Sequence, residues 1–309
     1  MNYQESDQEF VLHVWNLCQN HCIFCYNQGL FHMPKDIKRH MQMCKDMLSS
    51  SFLDEFSRVR FIGGEIFDKS IELLKVEDDF YELVTLCIDY LKSGKLNKVC
   101  FLTNLIYQDR KYLKKTIELF ENEHVLDKLG IDTSYDYAGR FVDGNEKFWW
   151  DNIKWLNTNY PMIKVHVGMI MTQPLIVGIT KEWLDNFFAV LPNVQITFNE
   201  LDTGAEIEYT KDNRSYRELF PHRSDFIKFL KKLKSWGYFY LTGFSDSIDN
   251  NPWENLPAVE LLFTQKDNFC ILKDLSCLLK ARDMTREDGY IDSNIPLYSD
   301  VKKYANMGD

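Results

Sequence analysis

The stretch Lys98-Val99-Cys100-Phe101-Leu102-Thr103 is a short apolar run that ends on a hydroxyl-bearing residue. Continuous rather than alternating apolar residues are typical of a strand covered on both faces of a parallel sheet. Val167-Gly168-Met169-Ile170 has the same character. Comparable β-type runs recur along the chain at Phe10 to Leu17, Val59 to Ile62, Lys98 to Thr103, Ile131 to Tyr135, Ile163 to Met171 and Val194 to Phe198.

Helix-type patterns separate these runs, as in Phe80-x2-Leu83-Val84-x2-Cys87, which ends near Gly94. Six β-α units in succession imply an α/β fold with a parallel sheet and right-handed crossovers. The sheet is either doubly wound or curled into a partial barrel. In both architectures the chemistry gathers at the carboxyl ends of the strands, where loops vary without disturbing the core.

Length and charge narrow the class of protein. The 309 residues suffice for one or two domains with a large core. Lys and Arg number 36 against 46 Asp and Glu, a net charge of -10. This charge disfavours a protein whose main task is to grip extended nucleic acid, although a short or folded nucleotide is still allowed.

The chain carries no sign of export or membrane insertion. Its first cation is Lys35, so the basic start of a secretory signal is missing, and no window approaches the roughly 18 apolar residues of a membrane span. We therefore expect a cytoplasmic protein without membrane partners. Its eight cysteines should then be thiols, metal ligands or core residues rather than disulfides.

Three of these cysteines lie in one loop directly after the first strand, in the arrangement Cys18-x3-Cys22-x2-Cys25. Three thiolates this close in sequence can hold one small metal centre. Iron-sulfur clusters for electron transfer normally take four cysteine ligands. The loop therefore indicates either a remote fourth ligand or one iron that is left open for chemistry.

This spacing, with Phe24 before the third cysteine, resembles the signature of the radical S-adenosylmethionine (radical SAM) superfamily. The resemblance implies a partial (β/α)6 barrel and one 4Fe-4S cluster held by Cys18, Cys22 and Cys25, with S-adenosylmethionine chelating the fourth iron. Reductive cleavage would yield a 5'-deoxyadenosyl radical that takes hydrogen from a substrate. Phe24 would pack beside the adenine.

A second match is Gly63-Gly64-Glu65, directly after the second strand. It resembles the family segment that binds the methionyl amine, and glycines there let the backbone approach a ligand. The glycines could also merely turn the chain. Joined to the cysteine loop, in order and on the following strand, the segment strengthens the resemblance.

The other strand ends supply further candidates. Thr103-Asn104 resembles the family's Thr-Asn-Gly, with Leu105 in place of the glycine. The resemblance suggests Ser134, then Asp136, near the ribose, Gly168 near the adenine, and Tyr135 and Glu200 as proton-transfer groups. The threonine, asparagine, serine and aspartate could equally be turn or cap residues.

Two hypotheses compete with a radical enzyme. The cysteines could form a structural zinc site, completed by one of His21, His32, His40 and Cys44, in a non-catalytic metal-binding module. Alternatively, the cluster could only pass electrons.

The sequence divides into a barrel at residues 1–244 and a C-terminal extension at 245–309 that we expect to cover the barrel mouth. A helix at Ser224 to Trp236 and a short strand at Tyr238 to Thr242 close the barrel region. The extension contains Cys270, Cys277 and the hairpin signal Asp288-Gly289. It resembles a degenerate SPASM or twitch extension, since no cysteine follows Cys277 to complete an auxiliary cluster.

We therefore expect an oxygen-sensitive radical SAM enzyme of unassigned subfamily. The resemblance of the strand ends and the tail favours a peptide or protein side chain as substrate; a nucleoside, nucleotide or other small molecule is the alternative. The family's usual reductants are a ferredoxin or a flavodoxin, and one of them is the expected partner.

Overall fold

The computed structural model describes residues 9–20, 22, 25, 34–136, 139–141, 144–199, 219 and 221–242. The strands are β1 Glu9–His13, β2 Arg58–Ile62, β3 Lys98–Leu102, β4 Leu129–Tyr135, β5 Lys164–Ile170 and β6 Val194–Asn199. The α-helices are α1 Ile37–Ser49, α2 Ser70–Leu74, α3 Glu77–Ser93, α4 Lys111–Asn122, α5 Glu146–Asn159, α6 Gln173–Gly178, α7 Lys181–Val190 and α8 Arg223–Trp236. Three 3-10 turns lie at Ser51–Glu55, Leu126–Lys128 and Phe239–Thr242.

The six strands form one parallel sheet in the order in which they occur in the chain. A doubly wound sheet reverses its strand order at a switch point, whereas a barrel-type sheet adds each new strand on the same side. The sequential order therefore settles the alternative left by the sequence. The α/β class with a partial (β/α)6 barrel is confirmed.

Successive side chains of each strand point to opposite faces of the sheet. One face packs on the helices: Trp149 of α5 donates its indole N–H to Thr133 Oγ1 (3.2 Å), and Phe198 of β6 meets Phe229 of α8 at 5.2 Å between ring centroids. The other face is mostly polar. We call it the polar face; it carries Glu9, Arg60, Asp132, Ser134, His166 and Thr197.

Aromatic rings fill much of the core between the sheet and the helices. Phe101 of β3 stacks on Phe61 of β2 at 4.8 Å between centroids and contacts Phe67, Phe80 and Phe120 edge-on or tilted. All five rings are fully buried. Each such ring buries a large apolar area, so this cluster holds the first half of the sheet to its helices.

Local signals fix the ends of several helices. Asp36 caps α1 by accepting a hydrogen bond from Arg39 N at 3.0 Å. Helix α3 stops at Gly94 as predicted, because this residue adopts a left-handed φ of 79° that glycine tolerates without cost.

The region after β6 matches the sequence in part. Helix α8 occupies the predicted position, but the strand predicted at Tyr238 to Thr242 is wrong. That segment bonds locally, with Tyr238 N donating to Leu233 O (2.8 Å) and Leu241 N to Tyr238 O (3.1 Å), and so forms a 3-10 turn. The extension at 245–309, with Cys270 and Cys277, lies outside the described residues. Within the described part of the chain, no helix combines the length and the apolarity needed to span a bilayer.

We expect Phe101→Ala to lower the free energy of unfolding by about 3–5 kcal/mol, because it empties a fully buried ring position among four other rings. Leu73→Ala, at a side chain that is 66% exposed, should change it by less than about 0.5 kcal/mol. Urea unfolding followed by circular dichroism measures both. Equal losses would show that the ring cluster contributes no more than the surface does.

Candidate functional site

The cysteine loop follows the segment after β1, which continues to bond to the residues after β2. Val14 N still donates to Ile62 O at 3.0 Å, and the pairing then continues through Gly64 N to Trp15 O (2.8 Å). Glu65 N donates to Leu17 O at 2.9 Å, one residue before the first cysteine of the loop. The segment 63–65 therefore lies against the residues that lead into the loop, at the carboxyl edge of the sheet.

This close approach requires both glycines. A Cβ at Gly64 would lie 2.2 Å from the carbonyl oxygen of Leu17, and one at Gly63 would lie 2.6 Å from that of Trp15. Real Cβ atoms do not come this close to backbone atoms. Packing by itself therefore requires glycine at both positions. Whether the segment also meets a ligand stays a prediction.

The Glu65 side chain is fully buried and hydrogen-bonded to protein groups. Its Oε1 accepts from the backbone N–H groups of Ile66 and Phe67, both at 3.0 Å. Thr103 Oγ1 donates to the same oxygen (2.6 Å), and Asn104 N donates to Oε2 (2.6 Å). The carboxylate therefore joins the end of β2 to the end of β3.

The electrostatics of this corner follow from burial. Burial raises the pKa of Glu65 to about 7, the nearby Asp68 carboxylate adds to the rise, and the hydrogen bond from Thr103 opposes it. Burial also raises the pKa of the Cys18 thiol, and the charge of Glu65 reinforces that shift. Both effects favour the protonated thiol at Cys18.

Side-chain amides reach two of the three sulfurs. Asn20 donates from Nδ2 to Cys22 Sγ at 2.9 Å and from its backbone N–H to Cys18 Sγ at 3.4 Å. Asn104 donates from Nδ2 to Cys18 Sγ at 3.5 Å. Cys25 N donates to the Cys22 carbonyl at 3.1 Å, which turns the loop back on itself. Asn20 was missed by the sequence analysis, since the spacing of the cysteines is independent of the residues between them.

The loop is not a closed metal cage. Among the described residues, no three or more His, Cys, Asp or Glu side chains stand close enough to hold a metal ion. His40 Nε2 lies 2.9 Å from the His13 carbonyl oxygen, and Cys44 donates to that oxygen at 3.9 Å. Both are buried on α1, so they do not complete a zinc site with the loop. His21 and His32 lie outside the described residues, as does Phe24.

At the end of β4, Ser134 and Asp136 face the same side of the sheet. Ser134 Oγ accepts a hydrogen bond from Arg140 Nη2. Asp136 is fully buried and accepts from Thr172 Oγ1 and from Gly139 N, both at 2.5 Å. Asp136 therefore links the loops after β4 and β5, so a ribose contact would compete with these bonds.

Tyr135 points to the opposite face. Its ring is 2% exposed and packs between Trp149 and Trp183, and its hydroxyl donates to Glu146 Oε1 at 2.6 Å. Its side chain lies in the core between the sheet and the helices, away from Ser134. The proton-transfer role predicted for Tyr135 therefore has no support in the structure. Glu200, the other candidate for that role, lies outside the described residues.

Gly168 of β5 pairs with Ser134 and lies on the polar face. A Cβ there would come within 2.5 Å of the amide nitrogen of Asn199, at the end of β6. The glycine therefore makes room for a polar group of the neighbouring strand. An adenine contact for Gly168 stays a prediction.

A charged network on the polar face was also missed. Arg60 pairs with Glu9 Oε2 (2.9 Å) and with Asp132 Oδ2 (3.2 Å), and His166 Nδ1 lies 3.8 Å from Asp132 Oδ1. His166 Nε2 is 2.8 Å from Thr197 Oγ1. Burial lowers the pKa of His166, although Asp132 opposes the shift.

Leu105 occupies the place of the glycine in the Thr-Asn-Gly pattern. It adopts a left-handed φ of 55°, a conformation that costs a leucine roughly 1–2 kcal/mol. Its N–H bonds to Thr103 Oγ1 at 3.2 Å, and its carbonyl accepts from Asn152 Nδ2 at 2.8 Å. The turn thus keeps the backbone conformation that glycine favours, held by burial and these bonds.

No family model and no curated protein matches the chain. Among solved structures, the FeFe-hydrogenase maturase HydG from Carboxydothermus hydrogenoformans is similar, with a TM-score of 0.43 and 13% sequence identity. The match covers 76% of this chain and 52% of that one, so the chain spans about half the length of that protein. The fold class assigned here rests on the chain's own sheet topology.

We expect Gly64→Ala to lower the free energy of unfolding by about 1–3 kcal/mol or more, because the new methyl group meets the Leu17 backbone. It should also speed alkylation of Cys18, measured by peptide mass spectrometry. Gly94→Ala is the control. Gly94 has a left-handed φ, so alanine strains the backbone there, but the added Cβ would meet no atom within 4 Å. Labelling of Cys18 should therefore stay unchanged in this variant. Equal labelling in both variants would contradict the packing role of Gly64.

The raised pKa of Glu65 predicts a pH effect on stability. The folded protein holds this proton more tightly than the unfolded chain, so the stabilisation is present below about pH 4.5 and is lost as the pH rises through 7. Relative to Glu65→Gln, the free energy of unfolding of wild-type should fall by up to roughly 3 kcal/mol as the pH rises from about 4.5 to 7. Urea unfolding at several pH values measures the difference. The control variant Glu182→Gln changes an exposed side chain, so its free energy of unfolding should vary with pH as that of wild-type does. A stability difference between wild-type and Glu65→Gln that stays constant with pH would refute the raised pKa of Glu65.

Proposed function

We propose that this chain is a radical SAM enzyme, in which Cys18, Cys22 and Cys25 hold one 4Fe-4S cluster and the carboxyl edge of the sheet binds S-adenosylmethionine. The observation that carries the proposal is the position of the cysteine loop. It follows β1 of a six-stranded parallel sheet and lies against Gly63 to Glu65, with amide donors on two of its sulfurs.

The donor set fits such a cluster. Three soft thiolate ligands in one short loop suit iron-sulfur chemistry, and hydrogen bonds to cysteine sulfur are among the features that adjust a cluster's potential. Among the described residues, Cys18 and Cys22 each accept an amide hydrogen bond from Asn104 and Asn20 respectively. Binding would also release the Cys18 proton, which makes cluster assembly pH-dependent.

A bound cluster supplies the electron that splits S-adenosylmethionine into methionine and a 5'-deoxyadenosyl radical. The protein's own contribution is to bind and orient. We assign the backbone carbonyl groups at Gly63 and Gly64 to the methionyl amine. Glu65 holds that segment in place through Thr103 and Asn104 rather than by contacting the ligand.

Ser134 and Gly168 would hold the nucleoside part on the polar face. They are paired neighbours on β4 and β5 at the carboxyl edge. Asp136, buried beside them, orients this edge through its bond from Thr172. A primary alkyl radical must meet its substrate before water quenches it, so the site needs a cover. We assign that cover to the extension at 245–309.

For the substrate we propose a peptide or protein side chain, with a nucleoside or another small molecule as the alternative that a substrate screen would reveal. The polar face supports a substrate with hydrogen-bonding groups, because Arg60, Asp132 and His166 line it. A ferredoxin or a flavodoxin is the proposed electron donor.

Anaerobic reconstitution with iron and sulfide tests the proposal. Wild-type protein should bind about four irons and, after reduction, convert S-adenosylmethionine to 5'-deoxyadenosine, measured by mass spectrometry. Cys22→Ala should abolish this product, because it removes a cluster ligand. Cys87→Ala, at a buried thiol of α3, is the matched control and should retain it.

The other outcomes are informative as well. A colourless protein that binds zinc would replace the enzyme with a structural metal module. A cluster that is reduced without forming 5'-deoxyadenosine would indicate a protein that only transfers electrons.

A further inference from the structure

Asn20 joins the described part of the cysteine loop to the connection between β4 and α5. Its side chain is 7% exposed. From Nδ2 it donates to Cys22 Sγ at 2.9 Å and to the Arg140 carbonyl oxygen at 3.2 Å, and its Oδ1 accepts from Asn145 Nδ2 at 2.9 Å. Every polar atom of the side chain is thus engaged.

These partners fix which way the amide points. A carbonyl oxygen can only accept a hydrogen bond, so the Arg140 carbonyl must face the nitrogen of the Asn20 amide. The Asn20 oxygen then faces the amide nitrogen of Asn145, which is a donor. The same orientation leaves the second N–H of Asn20 directed at Cys22 Sγ.

The two residues that anchor Asn20 both lie far from it in sequence. Arg140 follows β4, and Asn145 is the N-cap residue directly before α5. The Asn145 side chain donates to Asn20 Oδ1 and makes no capping hydrogen bond to its own helix. The position of Asn20, between Cys18 and Cys22 in sequence, is therefore tied to the β4–α5 connection.

We propose that Asn20 is a positioning residue that ties the cysteine loop to the β4–α5 connection and raises the reduction potential of the cluster through its N–H···S bond to Cys22. This inference rests on the proposed function. A hydrogen bond to a charged acceptor is stronger than one to a neutral acceptor, and reduction adds negative charge to the cluster and its sulfurs. The amide therefore stabilises the reduced form more than the oxidised form.

Redox titration of the reconstituted full chain, followed by EPR, tests the inference. Asn20→Leu keeps a similar volume and removes the donor. At a fixed potential we expect it to lower the ratio of reduced to oxidised cluster about tenfold, which is about 59 mV for a one-electron couple. Asn20→Asp should shift the potential further down, because it places a negative charge beside Cys22.

Two control variants separate the effect of the N–H···S bond from the effect of loop position. Asn159→Leu changes an exposed amide that bonds only to Trp155 O, and the potential should match wild-type. Asn145→Ala removes the tie but leaves the Asn20 amide near Cys22, so its shift should be smaller than that of Asn20→Leu. An equal or larger shift would attribute the potential to loop position and overturn the donor role.

The remaining outcomes are decisive too. If Asn20→Leu and Asn20→Asp hold the cluster at the wild-type potential, the inference fails while the proposed function stands. If both variants fold, as judged by circular dichroism, but hold no cluster, Asn20 only shapes the loop and the donor role is overturned. If wild-type itself binds no cluster, the proposed function fails.

Discussion

The site depends on one buried carboxylate. Glu65 lies between the ends of three strands: its side chain accepts four hydrogen bonds from the β2 and β3 ends, and its carbonyl oxygen accepts the indole N–H of Trp15 at 2.9 Å. A buried carboxylate is costly unless such donors surround it. The separate bond from Trp15 to the Glu65 carbonyl joins the same residue to the segment that leads into the cysteine loop.

The two faces of the sheet explain why the chemistry can lie where it does. The helix-facing residues are apolar and fully packed, as with Phe101 and Tyr135, so nothing can bind there without opening the core. The opposite face carries Arg60 and His166, which remain partly accessible and both lie beside the buried Asp132 carboxylate. A charged network of this kind costs less where water still reaches it. It leaves the sheet with a face that can accept a polar ligand.

Much of this could be predicted from local sequence. The β-α alternation gave the fold class, and Gly94 marked a helix end, because strand burial and left-handed glycine are local properties. The rest depended on which groups a segment meets in the fold. Ser134 and Tyr135 are neighbours on β4 and point to opposite faces, so only Ser134 lies on the polar face. The segment Tyr238 to Thr242 is mostly apolar like a strand, yet its backbone bonds locally, from Tyr238 N to Leu233 O of α8 and from Leu241 N to Tyr238 O. Asn20 meets Arg140 and Asn145, which are more than a hundred residues away, so the sequence around the cysteines did not indicate these contacts.

This dependence on distant partners also orders the assembly of the site. The bond between Asn20 and Asn145 joins residues 125 positions apart and can form only after β1 to β4 are aligned. Contacts that close such long loops cost chain entropy before they return any stabilisation. The position of Asn20 therefore depends on the aligned sheet as well as on its own loop. A metal that binds three thiolates there would gain its affinity from a completed barrel, not from the short loop alone.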